Sequence, residues 1–288
     1  MPNGILIIDK PQDWTSMDVC AKVRGIFHEK RVGHGGTLDP MATGVLPVFV
    51  GQATKGVEFA ENSEKEYIAG LRLGLVTDTQ DTTGSVLETH PVTADRAAVE
   101  AALSCFLGQQ EQIPPMYSAI KIGGQKLYEL ARKGQEVERR PRPVTIHALE
   151  LLSRESETDY LLRCRCSKGT YIRTLCHDIG QALGCGGAMY ALRRTMAAGF
   201  TADQAVTLEQ VQAEGSSLLL PTDSLFAAYP VLLLKSDGTE KRVRCGNPVT
   251  LPDVSDGMYR VYSQDGQFLC LSRAEGGTLT SIKNFFGA

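Results

Sequence analysis

Asp39 is the one carboxylate in the densest glycine stretch of the chain, Gly33-His34-Gly35-Gly36-Thr37-Leu38-Asp39-Pro40, with Gly44 just beyond. An acid held between Leu38 and Pro40 sits in apolar surroundings, which marks it as a candidate functional group rather than a solvated charge. The blander reading is an Asx-type turn residue at Asp-Pro. Phosphate binding does not fit, because neither GxxxxGK[ST] nor GxGxxG occurs here. A second constellation is Ser167-Lys168-Gly169-Thr170-Tyr171-Ile172-Arg173, a basic strand running into a helix that delivers Tyr171 and Arg173 at its first turn. A cation there makes a strongly electropositive spot, suited to a substrate phosphate or to a catalytic carboxylate. A third, Ser118-Ala119-Ile120-Lys121, has the S-x-x-K spacing of serine acyl-enzymes. It lacks an S-D-N element, and the later triplet is KGT rather than KTG, so acyl transfer is a poor fit.

The elements that must position these groups are short. Ile5 to Asp9 reads as a buried strand ended by Lys10-Pro11. Helical spacing of apolar residues over 17–28 predicts a helix capped by Thr15 or Ser16. Tyr67 to Leu75 and Ser85 to Glu88 read as strands joined by the polar turn TDTQDTTG. Thr93 should cap a helix through Leu107, and Lys126 to Lys133 should form another, stopped by Gly134. Tyr160 to Cys166 alternates apolar residues with Arg163 and Arg165, a half-exposed strand. Ile172 to Leu183 reads as a helix ended by Gly184, and Thr207 with Gln210 as a capping box. Strands outnumber helices without strict alternation, which predicts an α+β fold with a mixed, largely antiparallel sheet. After Pro230 the pieces VLLL, RVR, PVT, YRVYS and FLCLS, separated by turns, suggest a small β-barrel. The expected organisation is a catalytic domain over 1–229 and a second domain over 230–288.

Composition excludes several classes. With 42% hydrophobic and 22% charged residues the chain is neither disordered nor fibrous, and Ile5 to Ile8 is too short an apolar run for a signal peptide. No run approaches a membrane span, so the expected location is the cytoplasm. The eight cysteines contain no CxxC pair, which argues for reduced buried thiols and against a metal. Net charge is −3, with seven Lys/Arg against ten Asp/Glu after residue 199 and 23 against 23 before it. The basic residues bunch, however, at Arg132, Lys133, Arg139, Arg140 and Arg142, and at Arg163, Arg165, Lys168 and Arg173. Such patches let a mildly acidic protein hold a polyanion, although charge runs are often only solvated faces.

The segments GHGGTLDPMATGVLP, KEY at 65–67, PPMYSAIKIGGQKLYELARKG, SKGTYIRTL and Leu192-Arg193-Arg194, in this order over roughly residues 4 to 225, resemble the TruB-type tRNA pseudouridine-55 synthases. The C-terminal part resembles, less fully, the PUA-like RNA-binding domain of bacterial members. One departure is Lys10-Pro11-Gln12-Asp13, where the family usually has glycine fourth, a turn in which aspartate tolerates positive φ less well. The resemblance implies the pseudouridine synthase fold and isomerisation of one T-loop uridine in tRNA, with no cofactor. It implies Asp39 as nucleophile and Tyr67 as a residue that stacks on the extracted uracil and helps move the C5 proton. Arg173 is the expected counter-charge for Asp39. Tyr171 and Leu192 would wall the pocket, His34 would fill the vacated place in the loop, and Lys10 would shape the pocket or contact phosphate. The expected partner is the T arm of tRNA, met by a monomer without obligatory protein partner. Two other readings share these features: a guide-RNA-dependent synthase subunit, and an RNA-binding or tRNA-folding module with secondary catalysis.

Overall fold

The computed structural model describes residues 1–286. The chain opens with β1 (Gly4–Lys10), whose buried aliphatics place it inside a sheet. Helix α1 (Ser16–Phe27) starts at Thr15, whose side chain forms a capping box with Asp18, and buries Val19, Cys20 and Val23. Strands β2 (Val32–His34) and β3 (Thr43–Val50) flank the glycine-rich loop. A short helix α2 (Val57–Glu61) precedes β4 (Lys65–Leu73). The small hairpin β5 (Leu75–Thr77) and β6 (Val86–Thr89) closes on the TDTQDTTG turn. Helix α3 (Arg96–Ser104) is capped by Asp95 rather than Thr93 and stops before Leu107, because the Asp95 carboxylate reaches the Ala98 N–H.

β7 (Gly108–Gln112) is followed by a two-residue ribbon, β8 (Lys121–Ile122) and β9 (Gln125–Lys126). It leads into α4 (Leu127–Ala131), shorter than its apolar spacing suggests. Then come β10 (Arg142–Arg154), β11 (Asp159–Cys166), α5 (Ile172–Ala182), β12 (Gly187–Ala197), β13 (Phe200–Thr201) and α6 (Leu208–Glu214). The main sheet runs β1-β3-β12-β4-β11-β10-β7, with β2 on β3 and β13 on β12. Every pairing is antiparallel except β12 with β3. This is the mixed, largely antiparallel α+β sheet expected.

The segment after Pro230 forms its own five-stranded sheet, in the order β14 (Val231–Leu233), β16 (Gly257–Tyr262), β17 (Phe268–Glu275), β18 (Thr278–Asn284), β15 (Val249–Thr250). RVR is not a strand. It closes α7 (Asp237–Arg244), where Ser236 caps, acids fill the first turn and bases the last, all favourable to the helix dipole. An aromatic cluster of Phe59, Phe226, Phe268 and Phe285, with the Lys283–Glu58 pair, seats this sheet on α2.

Candidate active site

The loop carrying Asp39 is pinned from below. Ser16, buried at the start of α1, accepts from the Leu38 N–H at 2.9 Å. Pro40 presents its carbonyl to the Asp13 N–H at 2.8 Å and to the Lys10 ammonium at 3.2 Å. Lys10 also donates to the Pro11 and Trp14 carbonyls, so its fully buried ammonium holds loop backbone, and of its two expected uses the geometry favours shaping the pocket. Burial pushes its pKa down to about 8 against the pull of Asp13 and Asp39. The Asp13 turn survives the missing glycine: Asp13 itself adopts φ +66°, a left-handed conformation that aspartate tolerates better than most side chains.

Arg173, near the start of α5, points its Nε at Asp39 Oδ2, 2.9 Å away. Of the two uses its position allowed, the geometry selects the carboxylate. The pairing is single rather than forked, because Nη1 donates to the Thr79 carbonyl at 3.1 Å and Nη2 to that of Tyr117 at 2.8 Å. A second acid, Asp81, lies 3.8 Å from the same Nε and is nearly buried. Its other oxygen accepts from the hydroxyls of Thr79 and Thr83 and from the Thr83 N–H. The Asp39 side chain keeps 37% exposure, whereas the Arg173 side chain is 6% exposed. Burial raises the Asp39 carboxyl above its ordinary pKa and Asp81 adds to the rise, while Arg173 and Lys10 oppose it.

Tyr171 caps α5, and its backbone N–H and carbonyl are both bound by the buried Gln112 side chain, at 2.7 and 3.0 Å. Tyr67 lies on β4 between Cys164 of β11 and Arg194 of β12 and is 8% exposed. Leu192 is half-buried against the cluster that holds Leu38, Ala42 and Tyr67. His34 ends β2 with its Nδ1 buried and, among the described residues, without a hydrogen-bond partner; burial, then Arg194, lower its pKa, which favours the neutral ring. Lys10 and Arg173 thus touch the Asp39 loop directly, while Tyr67 and Leu192 lie in and against the core cluster that contains Leu38. Asp81, Gln112 and Arg194 were missed as site residues. The acid and threonines of TDTQDTTG read only as a turn, although such a cluster is also how a buried carboxylate is held. Ser118 is buried and Lys121 exposed, with no hydrogen bond between them, so no S-x-x-K dyad forms.

The second basic cluster does not survive folding as a patch. Arg165 pairs with Glu64 at 2.7 Å, Arg163 lies 3.4 Å from Glu66, and Arg173 is inside the site. Arg132, Lys133, Arg140 and Arg142 stay exposed, and among the described residues none of them forms an ion pair.

Two family models cover most of the chain. Residues 24–172 match the TruB family pseudouridylate synthase N-terminal domain, and 173–227 match the tRNA pseudouridylate synthase B C-terminal domain. The chain is 47% identical to tRNA pseudouridine synthase B of Pseudomonas syringae pv. syringae (strain B728a), over 96% of this chain and 93% of that protein. It is 40% identical to tRNA pseudouridine synthase B of Clostridium kluyveri, over 98% and 99%. Among solved structures, a chain of a Cbf5-Nop10-Gar1 complex superposes with a TM-score of 0.74 at 26% identity, over 98% of this chain and 85% of that one. The first family match contains Asp39 and Tyr67, the second begins at Arg173, and with full-length identity of this order the chain belongs to the TruB family of pseudouridylate synthases.

Proposed function

We propose that the chain makes pseudouridine 55 in tRNA by the joint action of Asp39, Arg173 and Tyr67. The observation that carries the residue assignment is the 2.9 Å contact of the buried Arg173 Nε with Oδ2 of the partly exposed Asp39. Asp39 is the nucleophile. As its N-glycosidic bond breaks, the uracil is held, turns, and bonds to the ribose through C5. Arg173 keeps the carboxylate charged and aimed against the desolvation that would protonate it. Tyr67 stacks on the base and takes part in moving the C5 proton, and Tyr171 and Leu192 wall the pocket. Extraction of the base is required because stacking hides the reacting atoms, and the neutral His34 fills the place it leaves.

The T arm of tRNA is the substrate region. The exposed cations of 132–142 meet its phosphates, and the 230–288 unit touches tRNA away from the reacting base. The enzyme works in the cytoplasm as a monomer, with no cofactor. The likeness to a Cbf5 chain raises a second reading, a subunit that needs a guide RNA and protein partners. Incubating the purified chain alone with bare tRNA transcript, then mapping the modified nucleotide, separates the two. Pseudouridine at position 55 is expected. Activity only after adding a guide RNA would overturn the reading.

A further inference from the structure

Arg194 is 1% exposed, yet no carboxylate among the described residues lies within salt-bridge distance of it. Its Nε donates to the Val45 carbonyl at 2.7 Å and its Nη2 to the Gly36 carbonyl at 3.1 Å. Gly36 precedes Asp39 and Val45 follows it, so one guanidinium ties both ends of the nucleophile loop. The loop is shaped to admit it. Gly44 has φ +98°, and a Cβ there would stand 2.2 Å from the Arg194 carbonyl oxygen, so only glycine lets β12 lie against β3 at this point.

On its other side Arg194 is the cross-strand partner of Tyr67 in the pairing of β12 with β4. Two further buried cations surround the pair, Lys10 and Lys65, and each is bound by three backbone carbonyls. Burial and the charge of Arg194 both push these lysines toward a pKa of about 8. A buried cation without an anionic partner is costly. A fixed positive charge where negative charge must develop is also how sites stabilise reacting groups without reorganisation.

We propose that Arg194 is a positioning residue for Tyr67: anchored by the carbonyls at the two ends of the Asp39 loop, it stands cross-strand from Tyr67 with a fixed charge that stabilises the phenolate form. This rests on the reading of Tyr67 as the group that takes the C5 proton. The Tyr67 hydroxyl first gives its proton to water. Once C5 has bonded to the ribose, the phenolate oxygen takes the C5 proton, the C–H electron pair re-forms the C5–C6 double bond, and the phenol is restored. The uracil N1 gains a proton from solvent, so charge balances. Burial is the largest influence pushing the Tyr67 hydroxyl up, to about 12, and Arg194 is the strongest influence opposing it.

The test is a double-mutant cycle read by single-turnover rate on tRNA carrying either ordinary or C5-deuterated uridine. Arg194→Met is expected to lose about 100-fold and to expose a C5-deuterium isotope effect, and Arg194→Lys to recover part of that loss. Adding Arg194→Met to Tyr67→Phe should cost less than about 3-fold more, since both act on one step. Losses that multiply in the double variant, or a slow Arg194→Met with no isotope effect, would overturn the link to Tyr67. Should Arg194→Met fail to fold, Arg194→Lys carries the same decision: a rate loss without an isotope effect counts against the proposal. A Tyr67→Phe enzyme turning over at the wild-type rate would instead remove the reading of Tyr67 itself, whatever Arg194 does.

Discussion

Two buried arginines grip the Asp39 loop from opposite sides in opposite electrostatic surroundings. Arg173 faces two carboxylates, Asp39 and Asp81. Among the described residues Arg194 has no carboxylate within salt-bridge distance, and Lys10 and Lys65 are its charged neighbours. Burial raises the pKa of both Asp39, in the acidic half, and Tyr67, in the basic half; Arg173 opposes the rise at Asp39 while Asp81 adds to it, and Arg194 opposes the rise at Tyr67. On the proposed mechanism Asp39 and Tyr67 each act without a proton in a place that disfavours charge, and each has one fixed guanidinium beside it. The contrast also explains the threonine shell on Asp81. A second carboxylate so close to the nucleophile needs its own hydrogen bonds to remain buried.

The largest way to break the acidic half is Asp39→Asn. Turnover should fall by at least about 10⁴-fold, because the amide keeps the shape and removes the nucleophilic charge. tRNA affinity, measured by filter binding, should stay within a few-fold. Next is Arg173→Lys, with an expected loss of about 10²- to 10³-fold in single-turnover rate. A lysine keeps the charge but cannot reach Asp39 while also holding the Thr79 and Tyr117 carbonyls. Wild-type turnover in this variant would show that the geometry of the guanidinium does not matter. Asp81→Asn should cost less, about 10-fold, since the amide can still accept from the threonine hydroxyls while the turn loses its charge-assisted bonds. The smallest effect lies outside both halves. Asp13→Gly relieves a left-handed aspartate and should raise stability by no more than about 1 kcal/mol, read as a small upward shift in Tm with activity unchanged.

What the sequence displayed of this arrangement follows from locality. Asp39 and Arg173 stood out because each sits in a run whose local chemistry is unusual, a glycine-rich turn and a helix start. Elements with one clear period, such as the Tyr160 to Cys166 strand and the capped helix after Thr207, lie where their residues placed them. Long-range charge was not legible. Arg163 and Arg165 look unopposed along the chain, and only the pairing of β11 with β4 brings Glu64 and Glu66 across from them. Asp81 was hidden for the same reason, because its partner Arg173 lies in a distant helix. RVR misled because alternation over three residues cannot distinguish a strand from the last turn of a capped helix. Arg194 was visible only as part of a motif, since nothing local shows that β12 will bury it against Gly44.

The most direct measurement of the central claim is the single-turnover rate across about pH 5 to 9, compared among wild type, Arg173→Ala and Asp81→Asn. With Asp39 as the proposed nucleophile the carboxylate must be ionised, so the rate is expected to rise with pH through the midpoint of its titration, which burial raises. Removing Arg173 takes away the largest opposing influence and should move that midpoint higher. Removing the Asp81 charge takes away an influence that raises it and should move it lower. Opposite shifts are the predicted result. Midpoints that coincide in all three enzymes would contradict the account, leaving Arg173 and Asp81 as scaffolding with no hold on the charge of the nucleophile.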